Sequence, residues 1–177
     1  MLITFTGESG SGKSTIAREL IKLGNFYFLT STTTRAARSS DLFNEYEYLS
    51  HDEFDLLKQN NAFIWTVSHV GNNYGTKHSY IDQAIQSNSH YLMTVIPQAL
   101  PILLNYTKEV IPFFVRTPAE SVLRKRMEER GDSDIDKRMQ NLGEWEKEAE
   151  KSSIPYRYIT NEGSIEDAVK QVLDYLK

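Results

Sequence analysis

Short apolar runs alternate along the chain with stretches whose apolar residues recur every three or four positions. The first pattern marks strands and the second marks amphipathic helices. Strands are predicted over residues 2–6, 27–30, 46–49, 63–68, 91–96, 110–115 and 156–160. Helical segments fall between most of them. Ser50 with Glu53, Thr117 with Glu120, and Ser164 with Asp167 each set a side-chain oxygen where it can cap a first turn. Pro118 follows Thr117 at the first helical position, where a missing N–H costs nothing. Gly131 stands where that helix can end after Arg130. The run from Tyr91 to Ile96 is almost wholly apolar, which suits the middle of a parallel sheet covered on both faces. The alternation predicts an α/β fold with a three-layer parallel sheet flanked by helices. Residues 31–78 break it, bringing two strand candidates and a short helix together, and are expected to form a small lobe on the main sheet.

Composition narrows the function classes. The chain has 177 residues, the usual size of one domain, and 40% of them are apolar and 25% charged, which excludes a disordered chain. Twenty Lys and Arg against 24 Asp and Glu leave a formal charge of −4, an argument against sequence-blind nucleic-acid binding. The absence of cysteine excludes disulfide scaffolds, Cys-ligated zinc, thiol catalysis and iron–sulfur clusters. No apolar run approaches the ~18 residues of a membrane span. Residues 1–7 lack the basic flank and long apolar stretch of a signal peptide. A cytoplasmic protein with no nucleic-acid or membrane partner is expected. The four histidines have no carboxylates at metal-ligand spacing and are expected to be surface or structural.

Gly7-Glu8-Ser9-Gly10-Ser11-Gly12-Lys13-Ser14 fits the phosphate-loop pattern G-x-x-x-x-G-K-[ST]. It follows a predicted strand and leads into a predicted helix over 15–23, with Ile16, Ala17, Leu20 and Ile21 on its apolar face. Chance matches to the pattern alone occur in on the order of 1% of chains this long, and the strand–helix context lowers that further. The glycines let backbone N–H groups converge on phosphate oxygens, and the helix N-terminus adds its positive dipole end. Lys13 is expected at the β- and γ-phosphates and the Ser14 hydroxyl on Mg²⁺. The predicted ATP-binding set is Gly7, Ser9, Gly10, Ser11, Gly12, Lys13, Ser14 and Thr15. Glu8 is unusual in such a loop. Its carboxylate is expected to point outward, where an exposed charge matters little.

A second constellation, Ser31-Thr32-Thr33-Thr34-Arg35-Ala36-Ala37-Arg38, is read as a loop. Its two arginines have the planar fork that grips phosphate oxygens in pairs. Gly71-Asn72-Asn73-Tyr74-Gly75-Thr76 is read as a tight turn presenting a phenol and a hydroxyl. Taken alone, either stretch is compatible with an ordinary solvated loop.

Taken with the phosphate loop, these stretches resemble the guanylate kinase family. That family's pattern runs Ser-x-Thr-Thr-Arg-x-x-Arg, an acidic loop ending in Tyr, Phe-Ile-Glu, and Gly-Asn-x-Tyr-Gly-Ser/Thr. The chain supplies Ser31, Arg35 and Arg38, then Tyr46 after residues 41–45, then Phe63-Ile64, then Gly71-Asn72, Tyr74, Gly75 and Thr76. The resemblance implies an ATP-dependent nucleoside monophosphate kinase, with ATP and a nucleoside monophosphate as substrates and Mg²⁺ as metal. It implies that Arg35, Arg38, Tyr46 and Tyr74 hold the acceptor's phosphate while Ser31 and Thr76 line the acceptor site. It further implies a core of residues 1–30 and 79–177, an acceptor-binding lobe of about 31–78 and a helical lid of about 126–140. Arg126, Arg130 and Arg138 match the family's lid arginines, and with Lys13 and Arg35 form the expected catalytic set. Arg124 and Lys125 are expected to belong to a solvated mixed-charge surface instead. Asn161 resembles the family's adenine-contacting Asn.

Two departures bear on the acceptor. Trp65 stands where the family carries the Glu of Phe-Ile-Glu, and Thr94 opens a segment in which the family carries acids. Carboxylates suit guanine because they accept from its N1–H and exocyclic amine, whereas Trp only donates. The preference for GMP is therefore expected to be weakened. Two other readings follow from related branches: a sugar-phosphate kinase resembling ribose 1,5-bisphosphate phosphokinase, and a non-catalytic guanylate-kinase-like binding module. The intact phosphate loop opposes the second.

Overall fold

A computed structural model describes residues 1–38, 41, 44–69, 71–116, 119–129, 131–132, 135–140 and 142–177, with Lys137 and Arg138 described by their backbone alone. The first half runs β1 (Leu2–Thr6), α1 (Lys13–Ile21), β2 (Phe26–Phe28), β3 (Ser31–Thr33), β4 (Tyr46–Tyr48), α2 (His51–Gln59), β5 (Phe63–His69), β6 (Asn72–Lys77) and α3 (His78–Gln86). The second runs β7 (His90–Thr94), α4 (Leu100–Tyr106), β8 (Val110–Arg116), α5 (Glu120–Glu129), α6 (Ile135–Gln140), α7 (Glu144–Lys151), β9 (Arg157–Thr160) and α8 (Ile165–Tyr175).

Five strands form a sheet of order β2-β7-β1-β8-β9, and β2 with β7 and β8 with β9 pair in parallel. All five residues of β1 are buried, as a strand covered on both faces requires. This is the parallel α/β architecture predicted by the apolar pattern. The remaining four strands form a second sheet of order β4-β3-β6-β5. Here the structure corrects two expectations, because residues 31–33 and 72–77 are strands rather than a loop and a tight turn. Asn and Gly favour turns locally, but pairing of β6 with both β3 and β5 overrides that preference. A Cβ at Gly75 would press on the Phe63 ring and the Trp65 carbonyl, so the residue that looks like a turn former is there for close approach.

Residue contacts divide the chain into two compact units, one of residues 1–3, 25–93 and 98–110 and the other of 4–24, 94–97 and 111–177. In the first unit Phe54 of α2 stacks on Phe63 of β5 with ring centroids 4.6 Å apart. The capping box of α2 forms as predicted: Ser50 Oγ accepts from the Glu53 N–H at 3.2 Å, and the Glu53 carboxylate accepts from the Ser50 N–H at 2.8 Å. In the second unit Phe5 stacks on Phe113, α1 packs on α8, and α8 starts at the predicted Ser164–Asp167 box. Leu123 and Met127 of α5 meet Met139 of α6 in a small apolar core. Gly131 lies just past α5 with φ 70°, and its N–H donates to the Glu128 carbonyl at 2.9 Å. The expected cap at Thr117 and Pro118 lies outside the described residues. Among the described residues no helix is long and apolar enough to cross a membrane.

Candidate active site

The phosphate loop begins where β1 ends and closes on the first turn of α1. Gly12 is the N-cap residue at φ 99°, and a Cβ there would run into the Asn161 amide. Unlike α2 and α8, helix α1 has no side-chain cap and no acidic residue in its first turn. Its leading N–H groups and dipole are therefore available to an anion. Lys13 Nζ donates to the carbonyls of Gly7 and Glu8 at 2.7 and 2.8 Å and to Ser11 Oγ at 3.4 Å, which holds the ammonium against the loop. Ser11 is fully buried, and Asn161 Nδ2 donates to its carbonyl at 2.6 Å. Asn161 therefore braces the loop from the residue just beyond β9. Ser9, Gly10, Ser14 and Thr15 complete the strand–loop–helix arrangement that the motif predicts.

Arg126 of α5 reaches the same loop, its Nη1 donating to the Gly10 carbonyl at 3.2 Å. Arg124 and Lys125 instead pair with Asp136 and Glu129 at 2.8 and 3.8 Å on the exposed side, as expected of a mixed-charge surface. Arg130 and the side chain of Arg138 lie outside the described residues. Glu8 departs from expectation. Its carboxylate is turned inward and buried, accepting from the N–H groups of Gly143 and Trp145 at 3.1 and 3.3 Å. Burial pushes its pKa up, and those two N–H groups together with Lys13 only partly offset this.

In the four-stranded sheet, register decides which side chains meet. Ser31 pairs with Tyr46, Thr33 with both Tyr48 and Tyr74, and Trp65 with Thr76. Paired residues share a face, and alternate residues along a strand share it too. Five predicted acceptor residues (Ser31, Tyr46, Trp65, Tyr74 and Thr76) therefore stand on one face. The opposite face carries a separate network in which Glu47 pairs with Lys77 at 2.7 Å and accepts from Thr32 at 3.0 Å.

Arg35 comes to the face that carries Tyr46 and Tyr48, its guanidinium carbon 5.0 Å from the centre of the Tyr46 ring and 6.0 Å from that of Tyr48. Its Nη2 donates to Asp41 at 3.0 Å, while the same carboxylate accepts from the Arg38 N–H at 2.7 Å and the Tyr48 hydroxyl at 2.6 Å. Burial works to raise the Asp41 pKa, but Tyr48, the Arg38 N–H and Arg35 outweigh it and hold the carboxyl below its ordinary value. Burial and the Asp41 contact both push the Tyr48 phenol up. Asp41 and Tyr48 are absent from the residue set predicted from sequence. The one available signal was the Tyr46-Glu47-Tyr48 alternation, which puts two phenols on one side of a strand.

Trp65 and Thr76 are both buried, and among the described residues neither the indole Nε1 nor the Thr76 Oγ1 finds a hydrogen-bond partner. An orphaned buried polar atom costs about 1–3 kcal/mol, so a polar group brought by a ligand or water would stabilise each of these two. Thr94 closes β7 half-buried, and no acid stands in 94–97.

Comparison with known proteins identifies the family. The guanylate kinase family profile matches residues 1–177. The guanylate kinase of Clostridium tetani is 30% identical over 174 residues, covering 97% of this chain and 83% of that one. The guanylate kinase of Bacillus subtilis is 26% identical over 175 residues, with coverage of 97% and 85%. Among solved structures, a guanylate kinase from Anaplasma phagocytophilum superposes with a TM-score of 0.77 at 22% identity, over 99% of this chain and 84% of that one. A gluconokinase from Sinorhizobium meliloti shares the fold at a TM-score of 0.56 and 15% identity, over 98% and 90%. These matches favour neither the sugar-phosphate kinase reading nor the binding-module reading. The chain belongs to the guanylate kinase family of ATP-dependent nucleoside monophosphate kinases.

Proposed function

We propose that the chain transfers the γ-phosphate of ATP to a nucleoside monophosphate whose base it does not read as guanine. The observation that carries this is Trp65, whose buried and unpartnered indole N–H stands opposite the unpartnered Thr76 hydroxyl on the acceptor face. Guanine offers donors at N1 and at its exocyclic amine, and an indole cannot accept from either. A base presenting an acceptor, a carbonyl oxygen or a ring nitrogen, would relieve the indole donor. Discrimination of ~10⁴ requires buried groups that the wrong base leaves unpaired, and the acids that would do this for guanine are missing at Trp65 and Thr94.

The acceptor is already an anion, so its phosphate oxygen attacks the γ-phosphorus without a strong general base, and the bond to the β–γ bridging oxygen breaks to release ADP. The work left to the protein is placement and charge neutralisation. Lys13 and Arg126 serve the transferring phosphoryl group from beside the phosphate loop, joined by Arg130 and Arg138. Arg35, Arg38, Tyr46 and Tyr74 hold the acceptor's phosphate, with Ser31, Thr76 and Thr94 lining its site. Asn161 both braces the loop and faces the adenine. Residues 31–78 serve as the acceptor lobe and 126–140 as a lid whose closure excludes water. Among the described residues no cluster of three or more His, Asp or Glu is poised to hold a metal. A lone hydroxyl at Ser14 fits Mg²⁺ that arrives with the nucleotide phosphates and keeps most of its waters. When bound, the ion neutralises charge on the β- and γ-phosphates. The cytoplasm, where ATP and monophosphates meet, is the proposed location.

The test is phosphoryl transfer across all ribo- and deoxyribonucleoside monophosphates, with ribose 1,5-bisphosphate alongside. Turnover of several monophosphates, with GMP favoured by no more than about tenfold, supports the proposal. A GMP preference of about 10³-fold or more would overturn it. Exclusive use of the sugar bisphosphate would favour the sugar-phosphate kinase. ATP binding without transfer to any acceptor would mark a binding module.

A further inference from the structure

Arg126 and Glu8 tie the phosphate loop to two points in the helical stretch that follows β8. Arg126 Nη1 donates to the Gly10 carbonyl at 3.2 Å from α5. From the other side, the Glu8 carboxylate accepts from Gly143 and Trp145 at 3.1 and 3.3 Å, at the start of α7. Gly143 is the N-cap residue of α7, with φ 80° and no side-chain cap of its own, so Glu8 supplies the missing acceptor from a distant part of the chain. We propose that Glu8 is a positioning residue which ties the start of α7 to the phosphate loop and so fixes the loop segment that holds Lys13.

Three features favour a positioning role over a merely tolerated charge. The carboxylate is buried and bonded to two N–H groups at the start of α7. An anion at the leading N–H groups of α7 is favoured by the helix dipole, although Glu144 and Glu146 in the same first turn repel it. Finally, Glu8 serves both sides of the tie, because its own carbonyl holds Lys13 Nζ at 2.8 Å while its carboxylate holds α7. A shift in α7 is thereby transmitted to the residue that carries the loop's catalytic charge. A displacement of about 1 Å in such a constellation costs on the order of 10²-fold in rate.

The inference rests on the kinase reading, and its test separates the two. Glu8→Ala, Glu8→Asp and Glu8→Gln are compared with the wild type for kcat, for KM of ATP, and for hydrogen exchange at the Gly143 and Trp145 amides. Gln keeps the acceptor oxygen at the right reach without the charge, whereas Asp keeps the charge and loses the reach. Glu8→Ala is expected to lower kcat by roughly 10- to 100-fold with the KM for ATP within about threefold, and to speed exchange at both amides. Glu8→Asp should resemble it, and Glu8→Gln should recover kcat to within about fivefold. Should Glu8→Ala not fold, Glu8→Asp decides in its place. Wild-type kcat in a folded Ala or Asp variant, or a Gln variant no better than Asp, would overturn the proposal. If the wild type transferred phosphate to no acceptor, the kinase reading would fall, while unchanged amide exchange in the variants would sink the tie itself.

Discussion

Arg35 and Asp41 form a 3.0 Å ion pair beside the rings of Tyr46 and Tyr48, so the arginine proposed to hold the acceptor's phosphate is itself held by a carboxylate six residues further on. The folded-state pKa of Asp41 lies below its ordinary value. The stability it contributes is therefore present above the unfolded carboxylate pKa and is lost as pH falls through the lowered folded value. Thermal unfolding of wild type and Asp41→Asn should differ at pH 6 and converge as the pH drops below 4, about the ordinary carboxylate range. A gap that stayed constant down to the lowest pH would show that the pair adds nothing through its charge.

Arg35 and Arg38 belong to the first unit, together with the face of Ser31, Tyr46, Trp65, Tyr74 and Thr76 proposed to receive the acceptor. Replacing either by Ala should raise KM for the acceptor by roughly 10- to 100-fold, as expected for a charged contact worth about 1.5–3 kcal/mol. KM for ATP should stay near the wild-type value. Steady-state kinetics with each substrate varied in turn reads this directly, and a loss confined to ATP would place the second phosphate site elsewhere.

Lys13 Nζ donates to the carbonyls of Gly7 and Glu8 and to Ser11 Oγ, all within the phosphate loop. Lys13→Ala should fold, with wild-type circular dichroism, and lose phosphoryl transfer by about 10²-fold or more. A folded variant with near-normal turnover would be incompatible with the assigned role.

Trp65→Glu restores an acceptor-only side chain opposite Thr76, and Thr94→Asp adds an acid at the end of β7. Together they should move the monophosphate preference toward GMP by about tenfold or more. The measurement is the ratio of kcat/KM for GMP to that for the best wild-type acceptor. An unchanged ratio would mean that other residues read the base.

What could be read in the sequence depended on how local the determining interactions are. The phosphate loop was legible because eight contiguous residues, one strand and one helix carry the whole signal. Strands β3 and β6 were not, since Asn72, Asn73 and Gly75 favour turns and only pairing with distant strands makes them extended. The residues expected at the acceptor site were named from the family's pattern, and five of them share one face of the sheet, but the Asp41–Tyr48 contact was hidden because the acidic stretch before Tyr46 gave no register. Glu8 misled most, because its partners lie 135 and 137 residues further along. No periodicity reports a contact of that separation.

The sheet order carries a consequence for how the chain reaches its fold. Strand β1 lies between β7 and β8, which begin at His90 and Val110, so one edge of its ladder stays open until the chain has passed residue 90 and the other until it has passed residue 110. Contacts of such separation slow folding, and until they form, Leu2–Thr6 is an apolar strand with both edges open to mispairing. The phosphate loop hangs directly from that strand. A nascent or truncated chain that stops short of β8 should therefore fail to bind nucleotide even though every residue of its loop is present, and should depend on chaperones to stay soluble.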